Sequence, residues 1–242
     1  MSETPNRSRR RFLSALPTIT VGLIAEPVQA SPAKSSRWAM LVDTRRCIAC
    51  QACTMACSME NATPEGAFRT VVATYVVTSE VGDTGLSVVP RLCNHCDQPP
   101  CVDVCPVGAT FKHTDGTVLV NGDRCVGCAY CVQACPYDAR FINHHTGKAD
   151  KCTFCSHRVE AGLLPACVET CVGGARIFGD ATNPDSEISK RLKAAGSTLR
   201  VLKPEAGTQP NVFYIGLDES LTGHVKGTSA ADMMWRPSHQ RG

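Results

Sequence analysis

Runs of β-branched and apolar residues predict several short strands along this chain. Val71 to Thr78 (V-V-A-T-Y-V-V-T) is rich in valine and threonine, which suit a pleated, half-buried surface. Met40 to Asp43 and Gly116 to Val120 are shorter runs of the same kind. In the tail that follows Phe178, the pattern predicts a short helix over 186–195, strands over 199–203 and 212–216, and an irregular arm from Leu221.

The 16 cysteines of the chain fall into four groups of four, and none is left over. We call these groups quartets and number them in chain order. They are Cys47, Cys50, Cys53 and Cys57; Cys93, Cys96, Cys101 and Cys105; Cys125, Cys128, Cys131 and Cys135; and Cys152, Cys155, Cys167 and Cys171. The third has the spacing C-x2-C-x2-C-x3-C-P, which is the bacterial ferredoxin signature for [4Fe–4S] ligation. The pattern therefore predicts four [4Fe–4S] clusters and an electron carrier.

The spacing within a quartet has a physical reason. Two residues between cysteines let the chain curl around a cluster, so that three cysteines of one loop can hold it. The fourth is expected where the chain enters a helix and points away, so that it ligates the neighbouring cluster of a pseudo-symmetric pair. We call this fourth residue the crossing cysteine.

Zinc and disulfides are the alternatives for so many cysteines. Structural zinc also uses paired C-x2-C spacings, but a third ligand two residues after the second fits it poorly. Eight disulfides would suit an exported protein, yet cysteines three residues apart make strained partners.

A short segment repeats after the crossing cysteines. C-P-V-G-A-T-F from Cys105 parallels C-P-Y-D-A-R-F from Cys135, and C-V-G-G-A-R-I from Cys171 is a weaker copy. Each copy predicts a turn, a closely packed alanine and then a strand. The predicted fold is α+β, with two fused, pseudo-symmetric ferredoxin-like modules and a C-terminal extension.

A cation stands shortly before every quartet, at Arg46, Arg91, Arg124 and Lys151. These side chains could offset the negative charge of thiolate-ligated clusters and shift their potentials. Ordinary surface basicity is the alternative.

The N-terminus resembles an export signal. Ser8-Arg9-Arg10-Arg11-Phe12-Leu13 is a twin-arginine motif, a weakly apolar stretch runs from Leu13 to Ala25, and Val28-Gln29-Ala30 offers small residues for cleavage. A basic tail or a Sec signal is the alternative. Because the Tat pathway exports folded proteins, residues 1–30 as a Tat signal would place a cluster-loaded protein in the periplasm.

Composition excludes several other classes. The formal net charge of +3 gives no reason to expect nucleic acid binding. No stretch after the N-terminal region approaches the roughly 18 consecutive apolar residues of a membrane span. We find no nucleophile–base pattern, phosphate loop or dinucleotide fingerprint, so no catalytic residue is predicted.

The order of the quartets, with a wide middle gap of eleven residues in the fourth, resembles the four-cluster iron–sulfur subunits of dimethyl-sulfoxide-reductase-type molybdoenzymes. The resemblance runs from about Trp38 to Asp218. Several segments are similar to the tetrathionate reductase beta subunits of that family, among them E-N-A-T-P-E-G-A-F-R-T from Glu60 and the cysteine-free V-L-K-P-E-A-G-T-Q-P-N-V-F-Y-I-G-L-D.

The resemblance pairs the first quartet with the fourth and the second with the third. We call these the first–fourth module and the second–third module. The implied ligands are Cys47, Cys50, Cys53 and Cys171 for cluster 1; Cys57, Cys152, Cys155 and Cys167 for cluster 2; Cys93, Cys96, Cys101 and Cys135 for cluster 3; and Cys105, Cys125, Cys128 and Cys131 for cluster 4. The crossing cysteines Cys57 and Cys171 depart from the pattern, because Ser58 and Val172 follow them instead of proline.

The same resemblance implies a function and partners. It implies an electron-transfer subunit without catalytic residues, between a quinol-oxidising integral-membrane subunit and a molybdopterin catalytic subunit that reduces tetrathionate to thiosulfate. The Tat translocase would be a partner during export. Residues 38–180 would form the tandem cluster domain and residues 181–242 a docking extension. An equivalent subunit of a thiosulfate or polysulfide reductase is the alternative within the family, and a zinc- or disulfide-stapled periplasmic protein is the alternative outside it.

Overall fold

A computed structural model describes residues 36–78 and 84–217. The predicted export signal and the arm from Leu221 lie outside these residues. The strands of the described part are β1 (Trp38–Asp43), β2 (Thr70–Thr78), β3 (Thr84–Leu92), β4 (Thr110–Lys112), β5 (Val118–Val120), β6 (Arg140–Asn143), β7 (Lys148–Lys151), β8 (Arg176–Asp180) and β9 (Val212–Ile215). Its α-helices are α1 (Ala52–Glu60), α2 (Pro100–Asp103), α3 (Tyr130–Gln133), α4 (Ser156–Glu160), α5 (Ala166–Glu169) and α6 (Glu187–Ala195).

A three-stranded sheet with the order β8-β1-β9 joins the two ends of the described chain. In β1, Met40 is opposite Phe178 of the antiparallel β8 and opposite Val212 of the parallel β9. Residues 39–42 are fully buried, as expected for a central strand covered on both faces. The strands predicted at 40–43 and 212–216 are confirmed, and the second belongs to the same sheet as the first.

Three antiparallel hairpins complete the strands: β2-β3, β4-β5 and β6-β7. The strands predicted at 71–78 and 116–120 are confirmed as β2 and β5, although β5 is shorter. The predicted helix at 186–195 is confirmed as α6, and the Ser186 hydroxyl accepts a hydrogen bond from the Ser189 N–H as its N-cap.

The strand predicted over 199–203 is wrong. Only Arg200 forms a β-bridge there, to Tyr214. Lys203 has a left-handed backbone with φ of 46°, and Pro204 begins a short 3-10 turn, so the extended backbone cannot continue.

A helix holds the third cysteine of each quartet, and in three quartets this helix has only four residues. Cys101, Cys131 and Cys167 lie in the four-residue helices α2, α3 and α5. In these three quartets the crossing cysteine follows the helix, so the prediction that it lies at a helix entrance is wrong. Among the four crossing cysteines, only Cys57 lies within a helix, near the end of the nine-residue α1.

Cysteines are part of the hydrophobic core. The largest cluster of buried residues combines Cys53, Cys93 and Cys152 with aromatic side chains such as Phe154 and Tyr214. A second cluster contains Cys101, Cys125 and Cys131. Helices and strands interleave along the chain, which confirms the α+β class. Across 36–78 and 84–217, no helix has the length and apolar character that a membrane span needs.

Candidate iron–sulfur centres

All four quartets curl their first two cysteines in the same way. In each C-x2-C segment, the residue just before the second cysteine has a left-handed backbone: Ala49, His95, Gly127 and Phe154, with φ of 58°, 42°, 72° and 55°. Only one of the four is glycine, and the others hold a conformation that costs a non-glycine residue roughly 1–2 kcal/mol. The loop shape is therefore imposed by its surroundings, as at many functional sites.

The crossing cysteines accept hydrogen bonds from the turn that follows them. The Ala109 N–H donates to Cys105 Sγ at 3.1 Å, and the Ala175 N–H donates to Cys171 Sγ at 3.2 Å. Burial disfavours the thiolate of Cys105, but the backbone N–H groups nearby lower its pKa below the ordinary value. The repeated alanine thus brings a backbone donor to the sulfur.

The first quartet replaces this backbone donor with a side chain. Asn61 stands four residues after Cys57, as Ala109 stands after Cys105. Its Nδ2 lies 3.6 Å from Cys57 Sγ and 3.8 Å from Cys155 Sγ. One amide therefore contacts two cysteines that the resemblance assigns to cluster 2, although they are far apart in sequence.

Two of the four implied ligand sets line cavities. Cys47, Cys50, Cys53 and Cys171, the set for cluster 1, surround one cavity. Cys57, Cys152, Cys155 and Cys167, the set for cluster 2, surround another. Helix α1 packs against α5, which brings Cys57 to Cys167. Burial and the neighbouring Cys167 and Cys155 raise the pKa of Cys57 to about 12.

The set for cluster 3 is also brought together. Burial raises the pKa of Cys96 to about 12, and the nearby Cys93, Cys101 and Cys135 thiols add to that increase. For cluster 4, Cys105, Cys125 and Cys131 meet in the second core cluster. Cys128 lies outside that cluster, at the surface.

Exposure distinguishes the implied sets for clusters 1 and 4 from those for clusters 2 and 3. Cys50 and Cys128 are exposed, whereas the other fourteen cysteines are buried or partly buried. Cys50 belongs to the implied set for cluster 1 and Cys128 to that for cluster 4. The sets for clusters 2 and 3 contain no exposed cysteine.

These residues fit iron–sulfur clusters better than zinc or disulfides. All 16 cysteines are free thiols, so no disulfide framework is present. Within the part of the chain that the structure describes, no three His, Cys, Asp or Glu side chains converge closely enough for a single metal ion. Thiols spread around a cavity instead suit the corners of a cubane. Cysteine thiolates would hold the clusters, and the clusters would supply one-electron acceptance and donation.

Sequence reasoning missed two buried arginines in this region, Arg140 and Arg176. Both stand five residues after a crossing cysteine, at Cys135 and Cys171. The internal repeat therefore contained the signal that could have found them.

The cations predicted before the quartets differ from one another in burial. Arg46 and Arg124 are exposed, and Arg91 is partly buried. Lys151 is fully buried, and its Nζ donates to the carbonyl oxygens of Cys152, at 2.8 Å, and Val118. The four side chains therefore do not form one equivalent set.

His95 is a packing residue of the second quartet. Its ring stacks on Phe154 with centroids 3.7 Å apart, and its Nδ1 accepts a hydrogen bond from the Val118 N–H at 3.0 Å. Burial lowers the pKa of His95 well below its ordinary value, and the positive charges of Lys151 and Arg140 lower it further. His95 is therefore neutral and supports the loop.

Comparison with known proteins agrees with this geometry. Two models of a 4Fe-4S dicluster domain match, one over residues 84–181 and the other over residues 46–109. The beta subunit of tetrathionate reductase from Salmonella typhimurium is 55% identical over 240 residues, which cover 95% of this chain and 96% of the relative. This chain belongs to the family of tetrathionate reductase beta subunits, which are iron–sulfur proteins.

Two more distant relatives show the breadth of the family. The beta subunit of tetrathionate reductase from Archaeoglobus fulgidus is 43% identical over 181 residues, covering 75% of this chain and 83% of the relative. The beta subunit of selenate reductase from Mesobacillus selenatarsenatis is 37% identical over 220 residues, covering 76% and 73%. Membership confirms the ferredoxin-like dicluster domains and [4Fe–4S] clusters. The chain is an electron-transfer subunit and not a catalytic one.

Proposed function

We propose that this chain holds four [4Fe–4S] clusters on the ligand sets given above. It transfers electrons from a quinol-oxidising membrane subunit to a molybdopterin catalytic subunit that reduces tetrathionate to thiosulfate. Sixteen cysteines in four quartets match four cubanes with four thiolates each.

The exposure of Cys50 and Cys128 is the observation that carries this proposal. Electrons must enter and leave a relay at its surface, and the two exposed cysteines belong to different modules, in the implied sets for clusters 1 and 4. The sets for clusters 2 and 3, which have no exposed cysteine, would carry electrons between these two points. One protein with two electron ports suits a position between a donor subunit and an acceptor subunit.

Exposed apolar residues adjoin cysteines of both of these sets in the sequence. Ile48 and Val172 are exposed beside the cluster 1 set, and Val126 and Tyr130 are exposed beside the cluster 4 set. Exposed apolar groups of this kind are typical of surfaces that other proteins cover. These two surfaces would contact the catalytic and membrane subunits.

Tetrathionate is the substrate that the relatives favour. Two tetrathionate reductase subunits are similar over three quarters or more of this chain. Thiosulfate or polysulfide reduction is the alternative within the family, because a subunit similar to this one also belongs to a selenate reductase, which indicates that such a subunit does not itself set the substrate.

A periplasmic location follows from the twin-arginine motif at Arg9 and Arg10. Replacing both with lysine should leave a folded, iron-loaded protein in the cytoplasm, because the pathway reads that pair. Normal periplasmic amounts of the double variant would contradict a Tat signal in this chain.

Two measurements test the proposed function. Anaerobic iron and sulfide assays should give about sixteen irons per chain, four for each cubane. The reduced subunit alone should not convert tetrathionate, and addition of the catalytic subunit should start turnover. About half that iron would contradict four clusters. If the reconstituted complex reduced thiosulfate or polysulfide but not tetrathionate, the electron-transfer role would stand and the proposed substrate would be wrong.

A further inference from the structure

Each module buries one arginine at the same place in the internal repeat. Arg140 and Arg176 stand five residues after the crossing cysteines Cys135 and Cys171. Each is the first residue of the strand that follows, β6 or β8. Their exposed fractions are only 4% and 3%. Two arginines at one repeat position, both buried, indicate a shared role.

Arg176 contacts cysteines from two different implied clusters. Its Nη2 lies 3.6 Å from Cys53 Sγ, of the cluster 1 set. Its Nη1 lies 3.8 Å from Cys167 Sγ, of the cluster 2 set. Nη2 also donates a hydrogen bond to Thr70 Oγ1 at 2.7 Å, which fixes the guanidinium between the two sulfurs.

Arg140 has the corresponding position in the second–third module. Its Nη1 donates a hydrogen bond to Thr110 Oγ1 at 3.1 Å. Arg140 lies close enough to the sulfurs of Cys101, Cys93 and Cys131 that negative charge on them raises its pKa, although burial opposes its own charge. Two of these cysteines belong to the cluster 3 set, and Cys131 belongs to the cluster 4 set.

The partner threonines complete the symmetry. Thr70 is the first residue of β2 and Thr110 is the first residue of β4. Each module therefore pairs an arginine at one strand start with a threonine at another. Thr110 stands five residues after Cys105, where the other copies have arginine. In the second–third module, the repeat after the third quartet therefore supplies the charged Arg140, and the repeat after the second quartet supplies Thr110, which accepts its hydrogen bond.

A buried guanidinium needs a negative partner, because an unpaired charge in a protein interior is costly. Among the ion pairs formed by residues 36–78 and 84–217, none contains Arg140 or Arg176. The groups near them that can carry negative charge are cysteine sulfurs and, near Arg176, the Tyr214 hydroxyl, which burial keeps protonated by raising its pKa. The charge balance of both arginines therefore depends on thiolate-ligated clusters.

We infer that Arg176 and Arg140 set the reduction potentials of the clusters, each acting on both clusters of its own module. The inference rests on the proposed occupancy of the four ligand sets. Reduction adds negative charge to a cluster, and a fixed positive charge nearby in a medium of low dielectric constant stabilises that charge. Each arginine therefore raises the potentials of the two clusters between which it lies.

Lys151 differs from the two arginines. Its Nζ is engaged by the carbonyl oxygens of Val118 and Cys152. Arg46 and Arg124, which also directly precede a quartet, are exposed, so burial is not a shared property of that position. We therefore assign the shared role to the arginines alone.

Redox titration followed by electron paramagnetic resonance tests the inference on the full chain. The variants are Arg176→Gln and Arg140→Gln, which remove charge, with Arg176→Lys and Arg140→Lys, which retain it. Each glutamine variant should lower the reduction equilibrium constants of two clusters by about tenfold, a shift of about 59 mV for one electron. The two variants should affect different pairs. The lysine variants should retain most of the wild-type potentials.

Arg45→Gln is the matched control. Arg45 stands two residues before Cys47, but its side chain is 66% exposed and paired with Asp43. Solvent screens such a charge, so the potentials should stay within a small fraction of the shift seen for the buried arginines.

The outcomes separate the inference from the proposed function. Wild-type protein without four clusters would refute the proposed function. Four intact clusters with unchanged potentials in both glutamine variants, or shifts equal to that of Arg45→Gln, would refute the inference alone. If the glutamine variants lose iron, full iron in the lysine variants supports charge compensation. Loss of iron from the lysine variants as well would make both arginines purely structural and overturn the inference.

Discussion

The first quartet ends differently from the other three. Cys57 lies within α1, a helix of nine residues. The other crossing cysteines, Cys105, Cys135 and Cys171, follow helices of four residues and stand in turns. Because proline lacks an N–H and restrains the residue before it, Pro106 and Pro136 explain the early helix ends at two of these sites.

Cys171 shows that proline is not required for this turn. Val172 follows it, yet the turn is the same. The shared feature is a left-handed residue three positions after the crossing cysteine: Gly108, Asp138 and Gly174, with φ of 57°, 51° and 58°. The first quartet has the helical Glu60 there. The left-handed residue therefore accompanies the turn after the second, third and fourth quartets, and Asn61 substitutes for the lost backbone donor after the first.

The largest effect should come from the crossing cysteines themselves. Cys57→Ser and Cys135→Ser should each destabilise a cluster of the partner quartet, on Cys152, Cys155 and Cys167 or on Cys93, Cys96 and Cys101. Each should lose up to about four of the roughly sixteen irons. Iron assays and paramagnetic resonance check this. If Cys57→Ser instead removed the cluster on Cys47, Cys50 and Cys53, while Cys135→Ser behaved as expected, Cys57 would not ligate the cluster of the partner quartet.

Proline should distinguish the helical site from the turn. Ser58→Pro places the ring inside α1, against the Thr54 carbonyl, and should cost about 3 kcal/mol. Val172→Pro only restores the residue of the other copies and should change stability by less than about 1 kcal/mol. The temperature at which the cluster absorbance is lost measures both. Equal losses would refute the structural difference.

Asn61→Ala should have an intermediate effect. It removes the donor that contacts Cys57 and Cys155 and also the acceptor of the Arg69 Nη1 hydrogen bond. We expect a loss of about 1 kcal/mol in unfolding free energy. Exposed Asn183→Ala is the control. If both variants behave alike in denaturant unfolding, Asn61 does not replace the backbone donor.

The smallest effect should come from the turn residue Asp138. Glycine occupies the equivalent positions 108 and 174, and Asp138 is exposed with a left-handed backbone. Asp138→Gly should raise stability by less than about 1 kcal/mol, because relief of strain is offset by greater freedom of the unfolded chain. Thermal unfolding should show a slight increase in the midpoint, and a clear decrease would show that the aspartate side chain stabilises the turn.

Local pattern predicted much of this fold. The β-branched run at 71–78 and the apolar run at 40–43 are strands because each has a surface to bury. Two strands, β3 and β7, were not predicted, each for a different reason. β3 contains Gly85 and Pro90, which weaken a strand signal but are tolerated in a two-stranded ribbon. β7 reads Lys-Ala-Asp-Lys, and the burial of Lys151 depends on contacts distant in sequence.

In the candidate site, too, local features were predictable from the sequence and long-range contacts were not. The quartets, the repeated alanine and the helix at 186–195 are local signals, and they predicted the cysteine loops and α6 well. The roles of Arg176 and Asn61 depend on contacts with Cys53 and Cys155, more than ninety residues away in each case. A sequence pattern contains no such distances. The pairing of quartets came from family resemblance and not from spacing.

Arg140 and Arg176 also have a consequence for the order of biosynthesis. A chain without its clusters would have to bury two guanidinium groups that no carboxylate in the described residues pairs with, at a cost of several kcal/mol. Compact folding is then favoured only after the clusters have been inserted. If the chain is exported folded, as proposed above, such coupling would act as a checkpoint, since a chain that has not yet received its iron would also lack the compactness that the exporter accepts.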